Sequence, residues 1–131
     1  MIPFGARHSM GKQSIQENAI HIDLKNLRAM KLEDGLLRVE AGARWNQVLN
    51  FLAPRGLAVE VMQSNADFSI GGTLSVNAHG WQPDRPPVAS TVEIIRILTA
   101  DGELKICSRT ENQNLFRHTL GGYGMMGILL E

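Results

Sequence analysis

The stretch GARHSMG, residues 5–11, places an arginine, a histidine and a serine between two glycines near the start of the chain. Glycine carries no side chain, so the backbone around it can approach a ligand closely. Three interpretations of this stretch are open from its residues alone: a simple turn, a cradle for a phosphate group, or a point of covalent attachment. The other glycine-rich stretches of the chain bear on the choice.

Two further stretches of this kind are SIGGTLSVNAHG, residues 69–80, and GGYGMMGI, residues 121–128. A run of backbone N–H groups forms an anion-binding nest, which can hold a diphosphate without any net basic charge. Any one of these loops alone is better explained as a turn. Three of them in a small chain, two with a histidine, favour a ligand-binding site.

Length, composition and charge limit the kinds of protein that this chain can be. With 131 residues, of which 44% are apolar, one domain with a buried core is expected. Basic and acidic residues number 13 each, and this zero net charge argues against a nucleic-acid partner. The lone Cys107 is interpreted as a small apolar strand residue. We find no signal peptide and no apolar run long enough to span a membrane, so a cytoplasmic protein is the default expectation.

Several well-known motifs are absent. The chain has no P-loop, because Gln13 follows Gly11-Lys12 and Ala6 stands where the first glycine belongs. The glycines of residues 121–127 have the wrong spacing for a dinucleotide fingerprint and precede a strand. No GxSxG elbow occurs, and the four histidines form no closely spaced pair, so we predict neither a serine hydrolase nor a metal site.

Local patterns predict a mixed α and β fold with short strands. Trp45, Val48, Leu49 and Leu52 form one apolar stripe, which predicts a helix over residues 43–56 that Pro54 and Gly56 end. Asp101-Gly102 predicts a hairpin turn within residues 92–108. The other predicted elements are strands over 19–24, 36–42 and 57–62, a loop running into a short helix over 63–80, a short helix over 111–121 and a final strand at the chain end. An Asp34-Gly35 turn is predicted before the strand over 36–42, which could pair with 19–24 as a hairpin although the linker is long.

The three glycine-rich stretches, together with VEIIRILTADGELKICSRTENQNLFRHTLGGYG at residues 92–124, resemble the FAD-binding domain of the vanillyl-alcohol-oxidase-type flavoproteins. Within this family the sequence most resembles the branch of the aldonolactone and alditol oxidases and its uncharacterised bacterial relatives. The resemblance implies an α+β fold of the PCMH type, with short mixed and antiparallel sheets and flanking helices. The family domain normally starts earlier and continues into a substrate domain. We therefore expect residues 1–131 to be a partial FAD-binding domain, incomplete at both ends and without the substrate domain.

The resemblance implies FAD as the cofactor and assigns residues to it. The first loop would wrap the diphosphate, and His8 would be the candidate for a covalent bond to the flavin, with an exposed loop histidine as the alternative. His79 would lie near the flavin ring, with a structural histidine as the alternative. No catalytic side chain is assigned. The implied cofactor-binding residues are Gly5, Ala6, Arg7, His8, Ser9, Met10, Ser64, Ser69, Gly71, Gly72, Thr73, Ser75, His79, Gly80, Gly127 and Ile128.

The function implied is the FAD-binding part of an oxidoreductase that oxidises an alcohol, a sugar or an aldonolactone. Two other hypotheses stay open: a non-catalytic module that no longer binds flavin, and a related reductase acting on a nucleotide sugar with NADPH. The expected partners are the flavin and, in the intact enzyme only, a small-molecule substrate. A homo-oligomer is a further expectation, because a missing first unit would expose apolar surface.

Overall fold

The computed structural model describes residues 1–131 and contains seven short strands and three short helices. This confirms the α+β class with short sheets. Two 3-10 turns, Ala53–Arg55 and Val88–Thr91, complete the regular structure. The strands and helices are β1 (Ile2–Phe4), β2 (His21–Asp23), β3 (Met30–Glu33), β4 (Leu36–Val39), α1 (Trp45–Leu52), α2 (Ile70–Ser75), β5 (Ile94–Leu98), β6 (Leu104–Ser108), α3 (Gln113–Thr119) and β7 (Ile128–Leu129).

The first two sheets have two strands each. β1 pairs with β2 in parallel, with Ile2 opposite His21. β3 and β4 form an antiparallel hairpin across Asp34 and Gly35, whose φ angles of 49° and 80° suit a tight turn. The sequence predicted the turn and the strand after it. It missed β3, and β2 pairs with the chain start instead of with residues 36–42.

The helix predicted over residues 43–56 is present but shorter. α1 buries Trp45, Val48 and Leu52 on one face, as the apolar stripe predicts. A 3-10 turn containing Pro54 follows it, and Gly56 ends this turn in the left-handed region with φ 68°. Proline cannot continue the hydrogen-bond ladder, and glycine adopts positive φ without strain, so both act as the sequence indicated.

The strand predicted over residues 57–62 is wrong. These residues are irregular, and Leu57 is exposed. A β-strand requires a neighbour, and the only backbone bond to this stretch from a distant segment runs from the Trp81 N–H to the Met62 carbonyl. Val61 is nevertheless buried, so the apolar run contributes to the core without entering a sheet.

The third sheet has the order β6-β5-β7 and is antiparallel throughout. Its inner face carries Ile95, Ile97 and Cys107, all buried, and these join side chains of the three helices in one apolar core. The Asp101-Gly102 turn, the helix within 111–121 and the strand at the chain end are confirmed. The longest helix, α1, has eight residues, so no helix has the length and apolar character to span a bilayer.

Candidate functional site

A cavity of about 260 Å³ lies where all three glycine-rich stretches meet. Most of its lining comes from the segment 2–9, from α2 with the residues on either side of it, and from residues 123–129; Gln13, Ser14, Leu24 and Ala41 complete it. The cavity therefore assembles residues that are more than 100 positions apart in the chain.

Backbone hydrogen bonds explain how α2 organises these walls. Gly71 N–H donates to the Ala41 carbonyl at 2.8 Å, which anchors the helix on the segment before α1. At the other end of the helix, the Ser75 carbonyl accepts from Tyr123 N–H at 2.9 Å and so holds the third stretch. Ser69 Oγ, at the start of the helix, accepts from Ala6 N–H at 3.4 Å and holds the first stretch.

The first loop presents a run of free backbone donors. The N–H groups of Gly5, Arg7, His8 and Ser9 donate to no protein acceptor, and the loop turns through Arg7 with φ 57°. The loop lies so close to α2 that a Cβ at Gly5 would overlap the Ser69 hydroxyl. The free donors fit a phosphate-bearing group, because a run of backbone N–H groups stabilises an anion.

The two glycines of α2 have different surroundings. A Cβ at Gly71 would lie 2.9 Å from the Ala41 Cβ, so Gly71 permits close packing of the helix. Gly72 is exposed, and its N–H has no protein acceptor. Gly71 therefore serves the fold, whereas Gly72 leaves a backbone donor at the cavity wall.

The Thr73 hydroxyl is used inside the protein. It accepts a hydrogen bond of 2.9 Å from the Trp45 indole N–H and donates one of 3.0 Å to the Ser69 carbonyl. Both donor and acceptor functions are thereby satisfied in a buried position. Thr73 lines the cavity, but its hydroxyl links α1 to α2 and is not free for a ligand.

His8 is paired with an acidic residue that the sequence analysis did not single out. Its Nε2 lies 3.0 Å from Asp67 Oδ2, and its ring packs on Phe68 with 5.1 Å between centroids. Arg44 Nη1 donates to Asp67 Oδ1 at 2.5 Å. The Arg44 guanidinium and then the His8 ring hold the pKa of the Asp67 carboxyl below its ordinary value of 3.8.

Eleven of the residues assigned from the sequence line the cavity and five do not. Met10 is 99% exposed, Ser64 is exposed, and His79 is exposed with its Nδ1 on the Gly80 carbonyl. Ile128 pairs with Leu98 in the sheet. The eleven that line it are Gly5, Ala6, Arg7, His8, Ser9, Ser69, Gly71, Gly72, Thr73, Ser75 and Gly127.

The residues assigned from the sequence include neither the apolar walls of the cavity nor Tyr123 and Gly124. Phe4, Leu24 and Phe68 supply apolar surface, and Tyr123 and Gly124 supply part of the third wall. A tyrosine between two glycines was the signal that the sequence offered for the last pair. In the structure Tyr123 has φ 51° and is mostly exposed. The apolar walls had no such signal, because core residues have the same composition. No three His, Cys, Asp or Glu side chains cluster as metal ligands would.

Comparison with known proteins identifies the family. The family profile described as "FAD binding domain" matches residues 1–108. The chain is 32% identical over 139 aligned positions to cytokinin dehydrogenase 7 of Oryza sativa subsp. japonica, covering 97% of this chain and 26% of that protein. It is 37% identical over 92 positions to D-arabinono-1,4-lactone oxidase of Yarrowia lipolytica, covering 70% of this chain and 18% of that protein. An uncharacterized oxidoreductase of Rhodococcoides fascians is 26% identical over 96% of this chain, which spans 29% of it.

The chain thus spans less than a third of the length of these relatives. The family profile covers the first two glycine-rich stretches, and the resemblance to FAD-binding flavoproteins is confirmed. The free N–H groups of the first loop agree with a diphosphate-containing cofactor. This chain belongs to the FAD-binding domain family.

Proposed function

We propose that this chain is the flavin-binding unit of an FAD-dependent oxidoreductase and that its fold is of the PCMH type. The observation that carries the proposal is the cavity in which three distant glycine-rich stretches meet around free backbone donors. Family membership supplies the cofactor, and the oxidase and dehydrogenase names of the relatives support the reaction class.

The chain's own residues would share the work of holding the cofactor. The N–H groups of Gly5, Arg7, His8 and Ser9 bind the diphosphate, with Gly72 N–H as a further donor at the opposite wall. The apolar surface of the cavity excludes water and packs against uncharged parts of the ligand. Bound flavin supplies the ability to accept a hydride, and the protein contributes binding, orientation and electrostatics.

We propose an alcohol, a sugar or an aldonolactone as the substrate class of the whole enzyme. The relative named as a D-arabinono-1,4-lactone oxidase supports this choice, and the cytokinin dehydrogenases name a second class. The substrate site would be built by polypeptide other than residues 1–131, which form the flavin unit. Exposed Ile94, Leu104 and Ile106 on the outer face of the third sheet support a covering partner, either such a domain or a second copy.

The decisive experiment is titration of the purified protein with FAD, followed by flavin absorbance and fluorescence. Gly5→Ala should weaken binding at least about tenfold, equal to roughly 1.4 kcal/mol, because the new methyl group forces the loop away from Ser69. Gly11→Ala in the same loop is the matched control, since its Cβ meets only the flexible end of the Gln13 side chain. Circular dichroism of both variants checks that the fold is retained.

Wild-type protein that takes up no FAD would refute the proposal and favour a non-catalytic module. Equal affinities for the Gly5→Ala and Gly11→Ala variants would refute the role of the first loop. Oxidation of NADPH by the whole enzyme in the presence of a nucleotide sugar would favour the reductase hypothesis instead.

We also propose His8 as the residue to which the flavin is covalently attached. Acid precipitation of the loaded protein tests this, because covalently bound flavin stays in the pellet. His8→Gln should release the flavin to the supernatant, whereas His118→Gln, outside the cavity, should not. Flavin released from the wild type refutes attachment and leaves cofactor binding unaffected.

A further inference from the structure

The contacts of His8 determine which nitrogen of its neutral ring carries the proton. Asp67 is held on both sides: Arg44 Nη1 donates to Oδ1 at 2.5 Å, and Asn65 Oδ1 accepts from the Asp67 backbone N–H at 2.9 Å. The other carboxylate oxygen, Oδ2, lies 3.0 Å from His8 Nε2. An ionised carboxylate can only accept a hydrogen bond, so Nε2 must carry the proton.

The second ring nitrogen of His8, Nδ1, is not engaged by the protein. Nδ1 has no hydrogen-bond partner in the protein, and in a neutral ring with a protonated Nε2 it holds a free lone pair. His8 lines the cavity beside the free N–H groups of the first loop. The ring therefore offers an acceptor, or a nucleophile, beside backbone N–H groups that are donors.

The other three histidines have the opposite arrangement. Nδ1 of His79 and Nδ1 of His118 each face a backbone carbonyl, at 2.8 and 2.6 Å, and a carbonyl requires a protonated Nδ1. His21 Nε2 accepts from the Gln16 N–H at 3.3 Å, which also leaves the proton of the neutral ring on Nδ1. His8 is thus the one histidine of the chain whose contacts select the Nε2–H tautomer.

We infer that Asp67 is a positioning residue for His8: with its own carboxylate oriented by Arg44, it fixes the Nε2–H tautomer and presents an unprotonated Nδ1 to the ligand in the cavity. The consequence for flavin rests on the proposed function, whereas the tautomer itself does not. The Phe68 ring, 5.1 Å from the imidazole between centroids, limits the alternative orientations of His8.

Arg44 makes the inference testable with a nearly isosteric change. In Asp67→Asn, the guanidinium can only donate, so it selects the amide oxygen and turns the amide NH₂ toward His8 Nε2. Nε2 must then accept, and the proton of the neutral ring moves to Nδ1. Replacing Arg44 by Met in the same variant frees the amide to rotate, so that its oxygen again accepts from Nε2–H.

The experiment is long-range ¹H–¹⁵N correlation NMR of the full chain at about pH 9, well above the ordinary imidazole pKa. Protonated and unprotonated ring nitrogens differ in ¹⁵N frequency, and His79 and His118 serve as internal Nδ1–H references. His8 should be Nε2–H in the wild type and in Arg44→Met, Nδ1–H in Asp67→Asn, and Nε2–H again in the Arg44→Met/Asp67→Asn double variant. A wild-type His8 with Nδ1–H, or a tautomer unchanged by Asp67→Asn, overturns the inference.

FAD titration of the same four proteins tests the consequence for the ligand. Asp67→Asn should weaken FAD binding about three- to tenfold, the effect of replacing a hydrogen bond by two opposed donors, and the double variant should recover the wild-type affinity. Unchanged affinity despite an inverted tautomer overturns the role of Nδ1 toward the flavin. Failure of the wild type to bind FAD refutes the proposed function alone, because the NMR result stands without ligand.

Discussion

The hydrogen bond between Trp45 and Thr73 links α1 to α2, the helix that forms one wall of the cavity. The indole N–H of Trp45, a residue only 6% exposed, donates to the Thr73 hydroxyl at 2.9 Å. Thr73→Val removes this acceptor and keeps the branched shape of the side chain. The Ser69 carbonyl loses the Thr73 hydroxyl as a donor but keeps the Thr73 backbone N–H at 2.9 Å. The substitution therefore leaves the Trp45 indole N–H as a buried donor without an acceptor.

We expect Thr73→Val to lower the free energy of unfolding by about 2 kcal/mol, within the range of about 1–3 kcal/mol for an orphaned buried polar group. With a urea m-value of about 2 kcal/mol/M, the unfolding midpoint should fall by about 1 M. Far-UV circular dichroism is the suitable probe, because it does not depend on either tryptophan.

Thr91→Val is the matched control. The Thr91 hydroxyl donates only to the nearby Val88 carbonyl at 2.8 Å and lies at an exposed position. Its loss should change the free energy of unfolding by less than about 0.5 kcal/mol. Thr73→Val should also cost clearly less in a Trp45→Phe background, where no indole N–H is left to orphan. Equal costs in both backgrounds, or a cost no greater than that of Thr91→Val, would refute the reasoning.

Three further predictions concern the sheet, the acidic partner of His8 and the lone thiol. Gly127→Ala should lower the free energy of unfolding by about 2 kcal/mol or more in the same urea assay, because φ is 144° and a Cβ would overlap the Leu98 carbonyl; an unchanged midpoint contradicts this. The pKa of Asp67 in the folded protein lies below 3.8, so its ionised carboxylate stabilises the fold. Wild type should therefore be more stable than Asp67→Ala above pH 3.8, and this difference should disappear as the pH falls through the folded-state pKa of Asp67. Thermal unfolding from about pH 7 to about pH 2 checks it, and a difference that persists in acid is the contrary result. Burial raises the pKa of the Cys107 thiol, so a water-soluble disulfide reagent should leave it unmodified in native protein and react fully in denaturant; rapid native labelling would show an accessible thiol.

Local signals in the sequence determined most of the regular structure. The apolar stripe of α1, the turns at Asp34-Gly35 and Asp101-Gly102, and the glycine-rich passage before the last strand act through neighbours a few residues away. Such signals need no partner from a distant part of the chain. The strand predicted over residues 57–62 failed because strand formation depends on a distant partner that periodicity does not reveal.

The same division holds for the cavity. Glycine content was enough to group the three stretches, and their resemblance, with that of residues 92–124, to a known family related the chain to FAD-binding proteins. Only the tertiary structure decided which side chains face the cavity. In the folded chain the Thr73 hydroxyl bonds to Trp45, and His79 lies outside the cavity. Asp67 contacts both His8 and Arg44. These outcomes depend on directions and distances between segments dozens of residues apart, and a hydrogen bond forms only when both are satisfied at once.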